Sequence, residues 1–190
     1  MAGVIIGRNL ESLKAGLAAA REGWRALEAR GLQLGSEEVS GLAATSGKER
    51  PTLSGAIAGC AVEVHVRSDM VHWAHTEVIA TPAEGAEVTI GVHPNPAGLM
   101  GYLRQWLGQD IEIGDEAFDS AYLITGKPES AARALLVPSV RELVTALGPK
   151  LAGLTYRDRR VTVALLGVET DPALLGIALD LAAAAASFRG

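Results

Sequence analysis

Apolar residues recur at Leu10, Leu13, Leu17, Ala20, Trp24 and Leu27, in steps of 3, 4, 3, 4 and 3. That spacing predicts a helix from Asn9 to Arg30, with Asn9 as its cap and Gly31 as its stop. It is the seam of a coiled coil, and it equally suits an amphipathic helix docked on its own domain. Beyond it the period disappears. Gly35 to Pro51 is rich in Gly, Ser, Glu and Lys and reads as a flexible linker. The chain thus divides into a helical arm at 1–34, a linker at 35–51 and a body at 52–190.

In the body the period shortens to two. Leu53–Ala58 and Cys60–Arg67 form an expected hairpin that turns near Ala58-Gly59. Val62, Val64 and Val66 alternate with Glu63, His65 and Arg67, as in an antiparallel sheet with one wet face. His72–Thr81 and Ala86–Val92 are expected to continue this meander. Asn95-Pro96 then opens a helix to Gly108 with an apolar stripe of Leu99, Tyr102, Leu103 and Trp106. Prolines open two further helices, Pro128–Leu136 and Pro138–Leu147. A closing hairpin, Leu151–Tyr156 and Arg160–Leu166, precedes a last helix that starts at Asp171-Pro172. Grouped strands, then helices, then a hairpin specify an α+β fold: an antiparallel sheet with helices packed on one face, preceded by an N-terminal helical arm.

The last helix is apolar over most of its circumference. Leu174, Ile177, Leu181 and Phe188 make one stripe, and Leu175 and Leu179 widen it. A sheet covers one side of such a helix, and the arm is the natural second cover. The terminal helices are therefore expected to pack together, in one chain or exchanged between two. The interface would be Leu10, Leu13, Leu17, Trp24 and Leu27 against Leu174, Ile177 and Leu181.

Composition narrows the function classes. The 190 residues are 48% hydrophobic and 21% charged, enough to build one sizeable core. A net charge of −5 argues against a general phosphate-binding surface, and so against nucleic acid as a partner. A single cysteine, Cys60, excludes an intramolecular disulfide and a multi-cysteine zinc site. The apolar run Met1–Gly7 is short for a signal-peptide core, and Pro172–Ala186 is short for a membrane span, so a cytoplasmic protein without membrane insertion is expected.

Candidate chemistry is sparse. His65, His75 and Glu77 could gather on the polar side of neighbouring strands as a zinc or iron site, or stand there as a solvated surface. His72 and His75 form an HxxH pair, which a strand sends to opposite faces. The acidic run from Asp110 to Asp119 fails the calcium-loop register, since Asp115 and Ala121 stand where Gly and Glu are needed. Asp115 suits a helix cap and Phe118 a core position. Gly41–Lys48 misses the phosphate-loop spacing, and neither GxGxxG nor GxSxG occurs. Arg157, Arg159 and Arg160 bunch at one hairpin tip, where an acidic partner could meet them, although Asp158 dilutes the cluster. No catalytic residue, cofactor or metal ligand is assigned.

Gly114-Asp115-Glu116-Ala117-Phe118-Asp119-Ser120-Ala121-Tyr122-Leu123-Ile124, followed by Ala131-Ala132-Arg133-Ala134-Leu135-Leu136, resembles a GDxxFDxxFxV…AxxLL segment of uncharacterised bacterial proteins, some of them membrane-tethered. The resemblance implies core roles for Phe118, Tyr122, Leu135 and Leu136 and implies no activity. The expectation is a non-catalytic interaction or assembly module that takes a protein partner or itself, forming a homo-oligomer. The alternative is a small-molecule or lipid-binding domain with a pocket between sheet and helices, lined by Leu99, Tyr102, Leu103 and Trp106.

Overall fold

The computed structural model describes residues 2–38 (side chains from residue 11 onward), 49–68, 74–95 and 111–190. Helix α1 (Ala2–Trp24) runs into a 3₁₀ segment (Arg25–Arg30) that Gly31 ends in the left-handed conformation, φ 81°. Strands β1 (Gln33–Glu38), β2 (Glu49–Ile57), β3 (Cys60–Ser68), β4 (Ala74–Pro82) and β5 (Thr89–Pro94) follow. Then come α2 (Glu116–Ala121), β6 (Tyr122–Lys127), α3 (Glu129–Leu135), α4 (Pro138–Leu147), β7 (Leu151–Arg157), β8 (Arg160–Leu166) and α5 (Pro172–Ala186). The strands form one eight-stranded sheet in the order β1-β2-β3-β4-β8-β7-β5-β6. Every pairing is antiparallel, so the expected α+β architecture is present.

Alternation along the strands builds the core on one side. Val62, Val64 and Val66 of β3, Val78 and Ala80 of β4, and Val161, Val163 and Leu165 of β8 are all buried. Leu154 and Tyr156 of β7, Ile90 and Val92 of β5 and Ile124 of β6 extend the same surface. Helix α5 lies over it, touching β3, β4 and β8 and packing along α4. Its alanines explain the close approach: Ala178, Ala182 and Ala185 are fully buried beside Leu175, Leu179 and Leu181. Each such leucine contributes about 1.5–3 kcal/mol. Asp171 caps α5 by accepting a hydrogen bond from the Ala173 amide at 2.9 Å.

The arm docks in the same chain. Leu13, Leu17, Ala20, Trp24 and Leu27 are buried in the common core. The Trp24 indole Nε1 donates to the Glu169 carbonyl at 2.8 Å, and the Glu169 amide donates to Thr76 Oγ1 at 2.9 Å. The buried Glu169 carboxylate accepts from the amides of Thr170 and Asp171 and lies 3.4 Å from Lys150 Nζ. At Gly23 a Cβ would stand 2.2 Å from the Thr170 carbonyl oxygen, so only glycine lets the arm settle on this loop. Arg30 reaches Asp180 and the Gly176 carbonyl of α5. Of the expected interface, Leu181 is buried and Leu174 and Ile177 are partly buried against the core. The Leu10 side chain lies outside the described residues.

Several expectations change. The stretch read as linker contains most of β1, which begins at Gln33 in the arm, and the start of β2, with pairing from Gln33↔Ser54 to Glu38↔Glu49. An edge strand of this kind pairs through its backbone and needs no apolar alternation, which is why composition concealed it. The meander breaks after β4, because β8 takes the place beside β4 and β5 lies beyond β7. Both faces of that choice are equally apolar in sequence, and long-range pairing decides it. Strand β6 has no counterpart among the expected elements, and the Ile111 amide donates to its Ile124 carbonyl at 2.9 Å. Beyond its cap Asn95, the expected helix to Gly108, with its stripe of Leu99, Tyr102, Leu103 and Trp106, lies outside the described residues, as do His72 and Asp110.

Candidate functional site: the open side of the sheet

All described helices pack on the valine-rich side, and among the described residues the other side carries no helix. One row crosses it through every strand: Gln33, Ser54, Glu63, Ile79, Thr162, Thr155, Gly91 and Thr125. The two halves of this surface differ in chemistry.

On β1–β4 the polar groups satisfy one another. His65 Nδ1 lies 3.0 Å from Glu37 Oε2, and its Nε2 lies 3.3 Å from Glu63 Oε2. Arg67 joins Glu37 at 3.2 Å to Glu77 at 3.4 Å, and Glu77 meets His75 Nε2 at 3.1 Å. Burial alone would raise the Glu37 carboxyl. The His65 hydrogen bond and the nearby Arg67 charge outweigh burial and hold it below its ordinary value. Arg50 lies buried beside them, donating to the Val66 carbonyl at 2.9 Å, and burial lowers its guanidinium pKa. The candidate metal trio of His65, His75 and Glu77 thus resolves into an ion-pair network with Arg67 between the carboxylates. Among the described residues no cluster of three His, Cys, Asp or Glu is arranged to hold a metal.

On β5–β8 the surface is a trough of small residues. Gly91 and Gly153 are buried, although both belong to this open side. The His93 ring covers them: a Cβ on Gly153 would come within 2.6 Å of His93 Nδ1, and one on Gly91 within 3.2 Å of Nε2. Thr125, Thr155, Thr162 and Ala164 line the rest, and Leu166 stands 53% exposed at its end.

A separate groove of about 530 Å³ lies on the helical side between α2 and α4. Phe118 and Tyr122 form its aromatic floor, with ring centroids 4.6 Å apart. Arg141, paired with Asp115, stands at its rim. Asp115 also caps α2 by accepting from the Phe118 amide at 3.2 Å, the role its position in the sequence suggested. Burial pushes the Tyr122 phenol up, and its hydroxyl donates to the Val144 carbonyl at 3.4 Å. Cys60 is a buried free thiol. Sequence reasoning missed the glycine–threonine trough, because its residues come together only through the β5–β7–β8 pairing. The recurrent Gly and Thr at open positions was the available signal.

No protein-family model matches the chain, and no curated protein matches it by sequence. Among solved structures it is similar to the mycobacterial trehalose monomycolate transport factor A, TtfA, with a TM-score of 0.57 and 16% identity. The match covers 91% of this chain and 94% of that one, and the likeness is one of fold. No described helix is long and apolar enough to cross a membrane.

Proposed function

We propose that this chain is a non-catalytic interaction module that docks a protein partner on the open side of its sheet. The observation that carries the reading is the row across all eight strands, which among the described residues no helix covers and half of which is threonine and glycine. The terminal-helix residues serve the chain's own core, which moves the contact surface away from the arm. A fold shared with a transport factor fits an accessory role. Site-specific photo-crosslinking in the producing cell tests this. A crosslinker at Leu166 should give a discrete adduct, at twice the chain mass if the partner is a second copy. One at Ala19, exposed on α1, should give none. Equal labelling at both positions, or none at Leu166, overturns the reading.

The aromatic floor of the α2–α4 groove favours a second reading, a small apolar ligand held there. Native mass spectrometry of the freshly purified chain would then show a small added mass. Phe118→Ala would remove that mass.

A further inference from the structure

Arg157 and Arg160 are directly opposed across the β7–β8 hairpin, and Thr155 and Thr162 are the next opposed pair on the same side. Tyr156 and Val161, between them, face the core, so these four side chains all belong to the open side. Like charges directly opposed in a ladder destabilise the pairing. The turn adds strain: Asp158 and Arg159 both adopt left-handed backbone, with φ 53° and 58°, where Asn-Gly would sit easily. Neighbouring acids neutralise this end only in part. Arg157 has Asp158 at 3.5 Å, and Arg159 pairs instead with Glu87 at 2.6 Å. Arg160 has no carboxylate within 4.0 Å among the described residues, whereas Arg25, Arg30, Arg67, Arg133 and Arg141 each have one. Thr155, Arg157, Arg160 and Thr162, with Asp158, line a cleft of about 390 Å³.

We propose that this cleft binds a tetrahedral oxyanion, the phosphate or sulfate group of a small ligand or lipid headgroup. Two guanidinium forks and two hydroxyls can surround the several oxygens of such a group, and its charge relieves the repulsion that the hairpin otherwise carries. The net charge of −5 on the whole chain makes this concentration of cations stand out. The cleft shares Thr155 and Thr162 with the row proposed for docking, and its test reads an anion rather than a protein.

Thermal denaturation of the full chain is followed in inorganic phosphate and in chloride at matched ionic strength. In chloride, Arg157→Gln and Arg160→Gln should melt at or above the wild-type temperature, since each removes the like-charge pair. Phosphate should raise the wild-type melting temperature saturably. Each variant should need at least tenfold more phosphate, while Arg133→Gln, which loses only a helix-surface pair with Glu129, should respond as wild type. Flotation with phosphatidylglycerol vesicles, lost in the same two variants, assigns the anion to a lipid headgroup. Phosphate binding without flotation assigns it to a soluble ligand. If phosphate acts no differently from chloride, or equally on the Arg157→Gln/Arg160→Gln double variant, the proposal fails.

Discussion

Along β8, Val161, Val163 and Leu165 are wholly buried, while their immediate neighbours Thr162, Ala164 and Leu166 face the other way and keep contact with solvent. One strand therefore serves two surfaces with different requirements. The helix-covered side holds the molecule together through apolar area. The open side presents mainly polar and small residues. The open side is itself divided: β1–β4 present charges already matched within the chain, and β5–β8 present a small-residue floor ending in cations that are incompletely matched.

Substitutions can break or sharpen this contrast. The largest effect belongs to the covered side: Trp24→Ala removes a buried indole and its hydrogen bond to Glu169, and should cost about 3–5 kcal/mol in urea denaturation. Thr162→Ala, on the open side, should stay within about 0.5 kcal/mol of wild type. Comparable costs for the two would dissolve the distinction. Replacing Leu13 and Leu17 together by Asp puts charge into the buried seam of the arm. It should release the arm and expose α5, with aggregation or a larger species in sedimentation; an unchanged stable chain would show that the arm is dispensable.

Smaller effects test the open side. Gly153→Ala should cost up to about 1 kcal/mol, because the exposed His93 ring can swing clear of the new methyl group, and His93→Ala should remove that cost in a double-mutant cycle. Arg67→Ala should cost about 0.2–1 kcal/mol, as expected for a half-exposed ion pair. The least effect is the acid response of Glu37. Its folded carboxyl lies below the ordinary 4.5, so its contribution is present above that pH and is lost as pH falls further, through the folded value. The stability gap between wild type and Glu37→Gln should therefore narrow as pH falls below 4.5.

Local patterns disclosed most elements and few of their neighbours. The alternation in Val62–Val66, the proline-opened helices and the heptad spacing of the arm all rest on residues close in sequence, where periodicity maps directly onto a buried face. Strand β1 escaped because Gly35, Ser36 and Glu37 carry no such period and need only a paired backbone. The pairing of β4 with β8 escaped because several apolar strands compete equally for that place. The same nonlocality hid the trough: Gly91 and Gly153 are far apart in sequence, and neither is distinctive alone. His65, Glu77 and the hairpin arginines could be found from sequence, but the carboxylates that quench the first group and only partly quench the second could not.

The position of the β7–β8 hairpin at the middle of the sheet has a consequence for biosynthesis. While the ribosome is still translating, β1–β4 can assemble as a meander and β5–β6 as a separate antiparallel pair, yet each leaves a bare backbone edge until residues 151–166 emerge. Helix α5, which covers the finished apolar surface, arrives later still. A nascent chain that has not reached residues 151–186 thus exposes two pairing edges beside an uncovered row of valines, so these later elements are what make the earlier ones safe from aggregation.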